Sequence, residues 1–522
     1  MGAALVGTAW AGVGLAPVPT STGKTPVGGP AANPAQAGSA NAAVQATLEI
    51  GTGAELGADE VLVGASKINL YPQPDASKGE VWVRDKAKCL PAGSSGITAD
   101  AKDHVADWRT PWVENTNCIY MGGFGIGPSQ PILEFDPEYG LWVRTVALQR
   151  GGKTLVLSLL DAEGYNASYN KLCPAEKACG AIDIANQMAG ELGINADGVV
   201  IASTHAHSAM DYIGGWGGVP EWYMRQTAEA IRQSIRNAVA ALQPATLEAG
   251  DTLARGNNSE RRDTYYSAED PTLNWFRAVG RDGQVIATVG SFAAHATSFG
   301  SSATVAHADW PGVFAKAVEG RDGGMAMVFE AGLGNESARG NNRGSMGQTL
   351  AMLLPGVGAG TPVRSPEVKV AQAFWDQPVT NLPLGSLGAA GFFDRPFQQT
   401  AGAVTVGKSD VKPCASASPV SVKTQVTAAK VGQMVVAAAP GEIFSNYSNT
   451  IEERSPITGI AIAQANDALG YMPQAFETDD SARQGGGFAG GGVFEYEDAY
   501  SIDRCFGEMA LGTTLDLLNG LG

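Results

Sequence analysis

The chain has only 5 histidines in 522 residues, and four of them, His205, His207, His295 and His307, stand at or near the ends of runs that read as strands. His205-Ala206-His207 follows the apolar run Val199–Ser203 directly. Two residues apart on an extended chain, both side chains point to the same side. Such a pair can offer two imidazoles to one metal ion, or one to the metal and one to a substrate. His295 closes the run Val285–Phe292 and can bring a third imidazole from another strand end. A lone strand-end histidine is more often a hydrogen-bonded structural residue, but the pair with a third histidine points to metal. A hydrolytic zinc site needs three protein ligands and an open position for water, whose pKa the ion lowers to about 7. Glu442, in the turn Ala439-Pro-Gly-Glu-Ile, is placed to add a carboxylate. A glutamate favoured by the dipole of a following helix explains that position equally well.

The elements that must position these residues alternate between strand and helix. The runs Val61–Ala65, Leu141–Leu148, Thr154–Leu160, Val199–Ser203, Val285–Phe292, Met325–Phe329 and Gln433–Ala439 read as strands. Helical spacing predicts helices over Ala181–Leu192, with Gly193 as C-cap, and over Glu221–Leu242, Pro311–Glu319, Ser445–Arg454 and Gly507–Leu518. The expected fold class is α/β, with mixed β-sheets flanked by helices. Residues 3–17 form a short apolar stretch like the core of an export signal, without a basic leader. With the Ala-, Gly- and Pro-rich run that follows, residues 1–57 read as an export-like segment and flexible lead-in, and 58–522 as the folded domain. Residues 73–118 read as a polar surface excursion.

Five segments occur in a telling order: Ile201-Ala-Ser-Thr-His-Ala-His-Ser, Phe292-Ala-Ala-His-Ala-Thr-Ser, Gly334-Asn-Glu-Ser, Ala439-Pro-Gly-Glu-Ile-Phe and Asn466-Asp-Ala-Leu-Gly-Tyr. Each is weak alone. Together they resemble the neutral/alkaline, non-lysosomal ceramidases, zinc amidohydrolases of N-acylsphingosines, from about residue 59 to about residue 500. The resemblance implies Zn2+ held by His205, His295, Glu442 and Tyr471. It makes His207 a partner of the reacting amide or its oxyanion, Ser337 a catalytic serine beside the metal, and Tyr496 a donor to the carbonyl oxygen. Donors aimed at a developing oxyanion commonly contribute about a hundredfold or more in rate. Plainer readings give Ser337 a helix cap and Tyr471 a buried loop contact. His307 and Asp309 are expected behind the ligands or capping the helix at Pro311, and Asp161 orienting a histidine or closing a turn.

Three departures bear on the substrate. Where the family carries Asn-Arg-Ser, this chain has Asn257-Asn258-Ser259, so the family arginine is missing unless Arg261 or Arg262 replaces it. The histidine pair continues as Ser208-Ala209-Met210-Asp211 instead of Ser-Gly-Pro. The chain stops soon after Tyr496, so the family's C-terminal β-sandwich is expected to be absent. The expected activity is cleavage of an amide in an N-acylated lipid or related N-acyl compound. A metal-dependent esterase or lipid deacylase on the same scaffold is the first rival, and a cell-envelope binding protein without catalysis the second. A dinuclear site using both His205 and His207 would require further acidic or histidine ligands, for which this His-poor chain offers few candidates.

The bulk numbers agree with an exported enzyme. Hydrophobic residues make up 44% and charged residues 17%, as in a folded globular protein. The net charge of -17 argues against nucleic acid or an anionic membrane as a standing partner, leaving a small lipid or N-acyl substrate and at most transient membrane-surface contact. No later apolar run approaches the roughly 20 residues that a bilayer requires. Six scattered cysteines without a CxxC pair read as three disulfides, Cys89–Cys118, Cys173–Cys179 and Cys414–Cys505 by local order, and hence as a secreted or cell-envelope protein.

Overall fold

The computed structural model describes residues 55–89, 117–124, 129–170, 173, 179–262, 268–299, 303–339, 344–391, 393–408, 414–477 and 496–522. The export-like stretch and nearly all of the lead-in expected at the N-terminus lie outside these residues, as does the middle of the polar excursion.

A first sheet carries β1 (Glu60–Asn69), β2 (Trp142–Arg150), β3 (Lys153–Leu160), β4 (Val199–Ser203), β5 (Gln243–Leu253), β6 (Thr272–Gly280), β7 (Val285–Phe292) and β8 (Met325–Glu330). Its order is β8-β7-β6-β5-β1-β2-β3-β4, with Thr361–Pro362 pairing to β5. Only the outermost pairs, β7/β8 and β3/β4, are parallel; the rest are antiparallel. A second sheet carries β9 (Val368–Pro378), β10 (Gln398–Lys408), β11 (Cys414–Val431), β12 (Met434–Ala438) and β13 (Gly459–Ile462), in the order β9-β11-β12-β13 with β10 also on β11.

The two sheets pack face to face between outer helices. Period-two alternation decides which side chains go where. On β3, Leu155, Leu157 and Leu159 point toward the second sheet and meet Val368, Val431, Val436 and Ile460. The intervening Val156 and Leu160 face the layer of α1 (Ala181–Leu192), α2 (Glu221–Ala240), α3 (Asp309–Asp322) and α4 (Ser345–Leu353). The far face of the second sheet, through Val435, Ala437 and Ala461, packs on α5 (Ser445–Glu452) and α6 (Phe506–Gly520). Four layers result, with both sheets buried inside, and the expected mixed sheets flanked by helices are what the chain forms.

Gly193 ends α1 at φ 65 with its N–H on Ala189 O, as its position predicts. Helix α3 starts at Asp309, two residues earlier than expected, because a proline in a first turn loses no hydrogen bond. The sequence reading missed β5, β6, β9, β10, β11 and β13. Strand β11 is mostly Ser, Thr, Ala, Val and Lys, and its pairing partners on both sides supply the order its modest hydrophobicity does not announce. All three disulfides pair as expected. Among the described residues, no helix is long and apolar enough to cross a membrane.

Candidate metal centre

The expected ligands come from opposite ends of the first sheet. His205 follows the edge strand β4, and His295 follows β7, next to the other edge. At about 4.8 Å per strand, a flat sheet of this width would hold the two edges some 30 Å apart. Instead both edges bond to one short segment that continues β13. Ser203 N–H donates to Gln464 O (3.2 Å) and Asn466 N–H to Ile201 O (2.6 Å), while Ala463 N–H donates to Glu330 O (2.8 Å). Asn466, at φ 59, returns its side-chain oxygen to Ile201 N–H (2.8 Å). The sheet therefore coils until its two edges meet over β13.

The other two ligands arrive as a pair. Glu442 and Tyr471 are register partners in a two-stranded parallel ribbon, and Glu442 N–H donates to Gly470 O at 2.9 Å. Two glycines allow this approach. A Cβ on Gly441 would stand 2.4 Å from Gly470 O, and one on Gly470, at φ +76, would stand 2.5 Å from Tyr500 O.

Each histidine is oriented from behind. His205 Nδ1 lies 2.6 Å from Glu163 O, and His295 Nδ1 lies 3.1 Å from Glu336 O. A carbonyl oxygen only accepts, so His205 Nδ1 carries hydrogen, while the His295 Nδ1 also has the Arg261 Nη1 at 3.4 Å; both Nε2 atoms face inward. Inside, Glu442 Oε2 is 3.4 Å from His205 Nε2 and 3.1 Å from His295 Nε2, and Tyr471 Oη is 3.3 Å from His295 Nε2. Ligands about 2.0–2.2 Å from a tetrahedral ion stand about 3.3–3.6 Å from one another. The donor set therefore fits a divalent ion with nitrogen and oxygen ligands. His205 itself has left the extended conformation, with φ 49, so the same-side argument from strand geometry does not apply to the pair. The turn brings the rings together instead, 5.1 Å apart and edge to face.

Electrostatics favour positive charge at this spot. Burial opposes an imidazolium at His205, but Glu442 and Glu163 outweigh it and push its pKa up to about 10. Glu442, though buried, is held well below the usual carboxylate range by His205 and His295. Burial and then the Arg261 guanidinium hold His295 down to about 4. Burial, His205 and His295 keep His207 neutral, far below its ordinary value.

His205, His207 and His295 offer ligand atoms within 4.8 Å of one another. His207, Glu442, Tyr471 and Tyr496 join His205 on the wall of a pocket of about 890 Å³, partly open to solvent. The rest of the wall is largely apolar, with Ile213, Trp216, Leu384, Phe393, Phe397 and Tyr500. Tyr496 is 42% exposed, its ring edge-on to Tyr471 at 5.9 Å, so it belongs to the pocket's outer part. Ser337 caps no helix. It lies in the short strand Glu336–Ala338, paired with Ser259 and bridged through its backbone to His295, and it is not among the residues that line the pocket.

The structure also decides several open alternatives. Arg261, not Arg262, reaches the donor set, giving hydrogen bonds to Tyr471 Oη (2.9 Å), Gly334 O (3.1 Å) and Glu497 Oε1 (2.8 Å). Arg262 turns to Asp498 (3.2 Å) and lies over the Phe444 ring. Asp161 orients no histidine: it takes Arg144 at 2.7 Å and the Trp142 N–H. His307 accepts the Asp309 N–H through Nδ1 (2.7 Å), and neighbouring Trp310 donates to His295 O (3.3 Å), so this corner buttresses His295 from behind. In Gly334-Asn-Glu-Ser, Asn335 accepts Ser445 N–H at the start of α5 (2.8 Å).

Two residues were missed. Glu163 and Glu330, both buried, turn carboxylates into this region with neither oxygen hydrogen-bonded. Glu163 follows β3, and its Oε1 stands 3.4 Å from His207 Nε2. Its only signal in the sequence is a carboxylate just past an apolar strand, which many turns share.

No protein-family model matches this sequence, and no curated protein matches it. Solved structures do. The neutral ceramidase from Pseudomonas aeruginosa superposes with a TM-score of 0.56 at 16% identity, covering 90% of this chain and 75% of that one. A ceramidase complexed with C2 superposes at 0.55 and 15% identity, covering 88% and 74%. The chain thus has a neutral-ceramidase-like fold.

Proposed function

We propose that this chain, over residues 58–522, is a zinc-dependent amidohydrolase of an N-acylated lipid, ceramide or a related N-acyl compound. The observation that carries the reading is the meeting of His205, His295, Glu442 and Tyr471 beside a largely apolar pocket. These four residues would hold the ion. Bound there, zinc supplies Lewis acidity, acidifying a water and polarising a carbonyl oxygen.

The chain's own groups do the rest. The apolar walls accept an acyl chain and exclude water from the reacting end. His207, neutral and buried with both ring nitrogens free of hydrogen bonds, is placed to hydrogen-bond the amide or its oxyanion. Tyr496, from the outer wall, donates to the carbonyl oxygen. Ser337, on the His295 side, is the serine we assign to the reaction. Arg261 holds Tyr471 in place and brings a fixed positive charge to the donor set. Three disulfides suit an oxidising, extracytoplasmic compartment.

Metal analysis of the purified protein, paired with a screen of acyl release from ceramides, N-acyl amino acids and matched esters, tests the reading. It expects bound zinc and fatty acid released from N-acyl lipids. A protein that binds no zinc, or a His205→Ala variant that keeps full activity, sinks it. Turnover confined to the esters would transfer the site to an esterase.

A further inference from the structure

We infer that the centre holds a second divalent cation, between His207 and Glu163, beside the one bound by His205, His295, Glu442 and Tyr471. The inference rests on that first site and revises one assignment, since His207 then acts on substrate through a cation and not by a direct hydrogen bond.

Four residues would supply the first site, and two further donors remain beside it. His207 Nε2 and Glu163 Oε1 stand 3.4 Å apart, the same spacing that separates ligands within the first set. Neither ring nitrogen of His207 and neither carboxylate oxygen of Glu163 makes a hydrogen bond. The His207 side chain is 5% exposed and that of Glu163 is 1% exposed. Buried polar atoms are ordinarily satisfied by hydrogen bonds, and buried charges by a counter-charge or a metal. Among the described residues, no group hydrogen-bonds these atoms.

The space around the carboxylate is built closely. A Cβ on Gly122 would stand 2.3 Å from Glu163 Oε2, so only glycine lets the carboxylate lie where it does. Glu163 also ties the two positions together, because its carbonyl oxygen orients His205 while its side chain faces His207.

Charge points the same way. Among the described residues no lysine or arginine forms an ion pair with Glu163, Glu330 or Glu442, since Arg261 pairs with Glu497 and Arg144 with Asp161; Glu442 faces His205 and His295 instead. Imidazole and carboxylate ligands suit zinc, manganese or cobalt.

The experiment is a zinc titration of the metal-stripped full chain, read by calorimetry and elemental analysis. A parallel cobalt titration is read by its visible absorption, and by EPR for coupling between neighbouring ions. Wild type should take up two equivalents and, with cobalt, show a coupled pair. Glu163→Gln, which keeps the volume and removes the charge, should stop at one equivalent and lose the coupling, while Glu163→Asp should weaken only the second step. Thermal melts check that each variant is folded. Saturation of wild type at one equivalent, or two equivalents retained by folded Glu163→Gln, overturns the second site and leaves the first standing. No uptake at all by wild type would instead overturn the zinc reading itself.

Discussion

At His205 the backbone adopts φ 49, a conformation that a side chain with a Cβ enters at a cost of order 1 kcal/mol. It is held there by the short contact from Nδ1 to Glu163 O, and the turn it makes aims His205 and His207 at different partners. Alanine at the two positions should therefore have unequal effects. His205→Ala should lose the ion held with Glu442. His207→Ala should keep that ion and lose about a hundredfold or more in turnover; elemental analysis beside kcat separates the two. Arg261 adds a residue-scale test, because its guanidinium holds the Tyr471 oxygen. Arg261→Gln should weaken metal affinity by about 10- to 100-fold, measured by chelator competition, since that is the usual effect of removing a group that supports a ligand. The histidine candidates were legible in the sequence because so few histidines are present. Glu163 and Glu330 were not, because a buried carboxylate without partners is recognisable only once its neighbours are known.

At the scale of elements, the Glu442–Tyr471 ribbon places half of the proposed ligands and depends on two glycines. Gly470→Ala puts a Cβ at φ +76 and 2.5 Å from Tyr500 O. It should destabilise the fold by at least about 1–3 kcal/mol in urea melts and reduce metal uptake with it. Strands with branched apolar runs, such as β3, β4 and β7, could be read directly, and so could α1, whose C-cap glycine marks its end. Strand β11 could not. Its small and polar residues become a strand because β9, β10 and β12 offer it hydrogen bonds on both edges.

Over the whole molecule, two features of stability invite measurement. The Cys414–Cys505 bridge closes a loop 91 residues apart in sequence, joining β11 to the start of α6. Replacing both cysteines with serine should cost about 2–4 kcal/mol. Buried carboxyls give a second test. Burial and the neighbouring Asp270 push Glu452 up to about 9, and burial pushes Glu477 up to about 8. The fold therefore keeps protons that the unfolded chain releases above about pH 4.3. These groups contribute fully below that pH, and their contribution is lost as pH rises through 8–9. The melting temperature should fall between about pH 6 and about pH 9, and Glu452→Gln should flatten that fall.

Residue types and spacing by themselves determined the α/β class, the disulfide pairs and the histidines His205, His207 and His295 as metal candidates, because periodicity, cysteine order and scarce histidines are local properties of a chain; the proposed ligand set with Glu442 and Tyr471 came from the resemblance of five short segments to a known family. Only the tertiary structure decided that these ligands meet, that Arg261 and not Arg262 supports them, and that Glu163 faces His207. Those outcomes depend on the coiling of a nine-stranded sheet until its two edges bond to one segment after β13. No single stretch of sequence encodes that closure, since it is the sum of twist and packing over strands hundreds of residues apart.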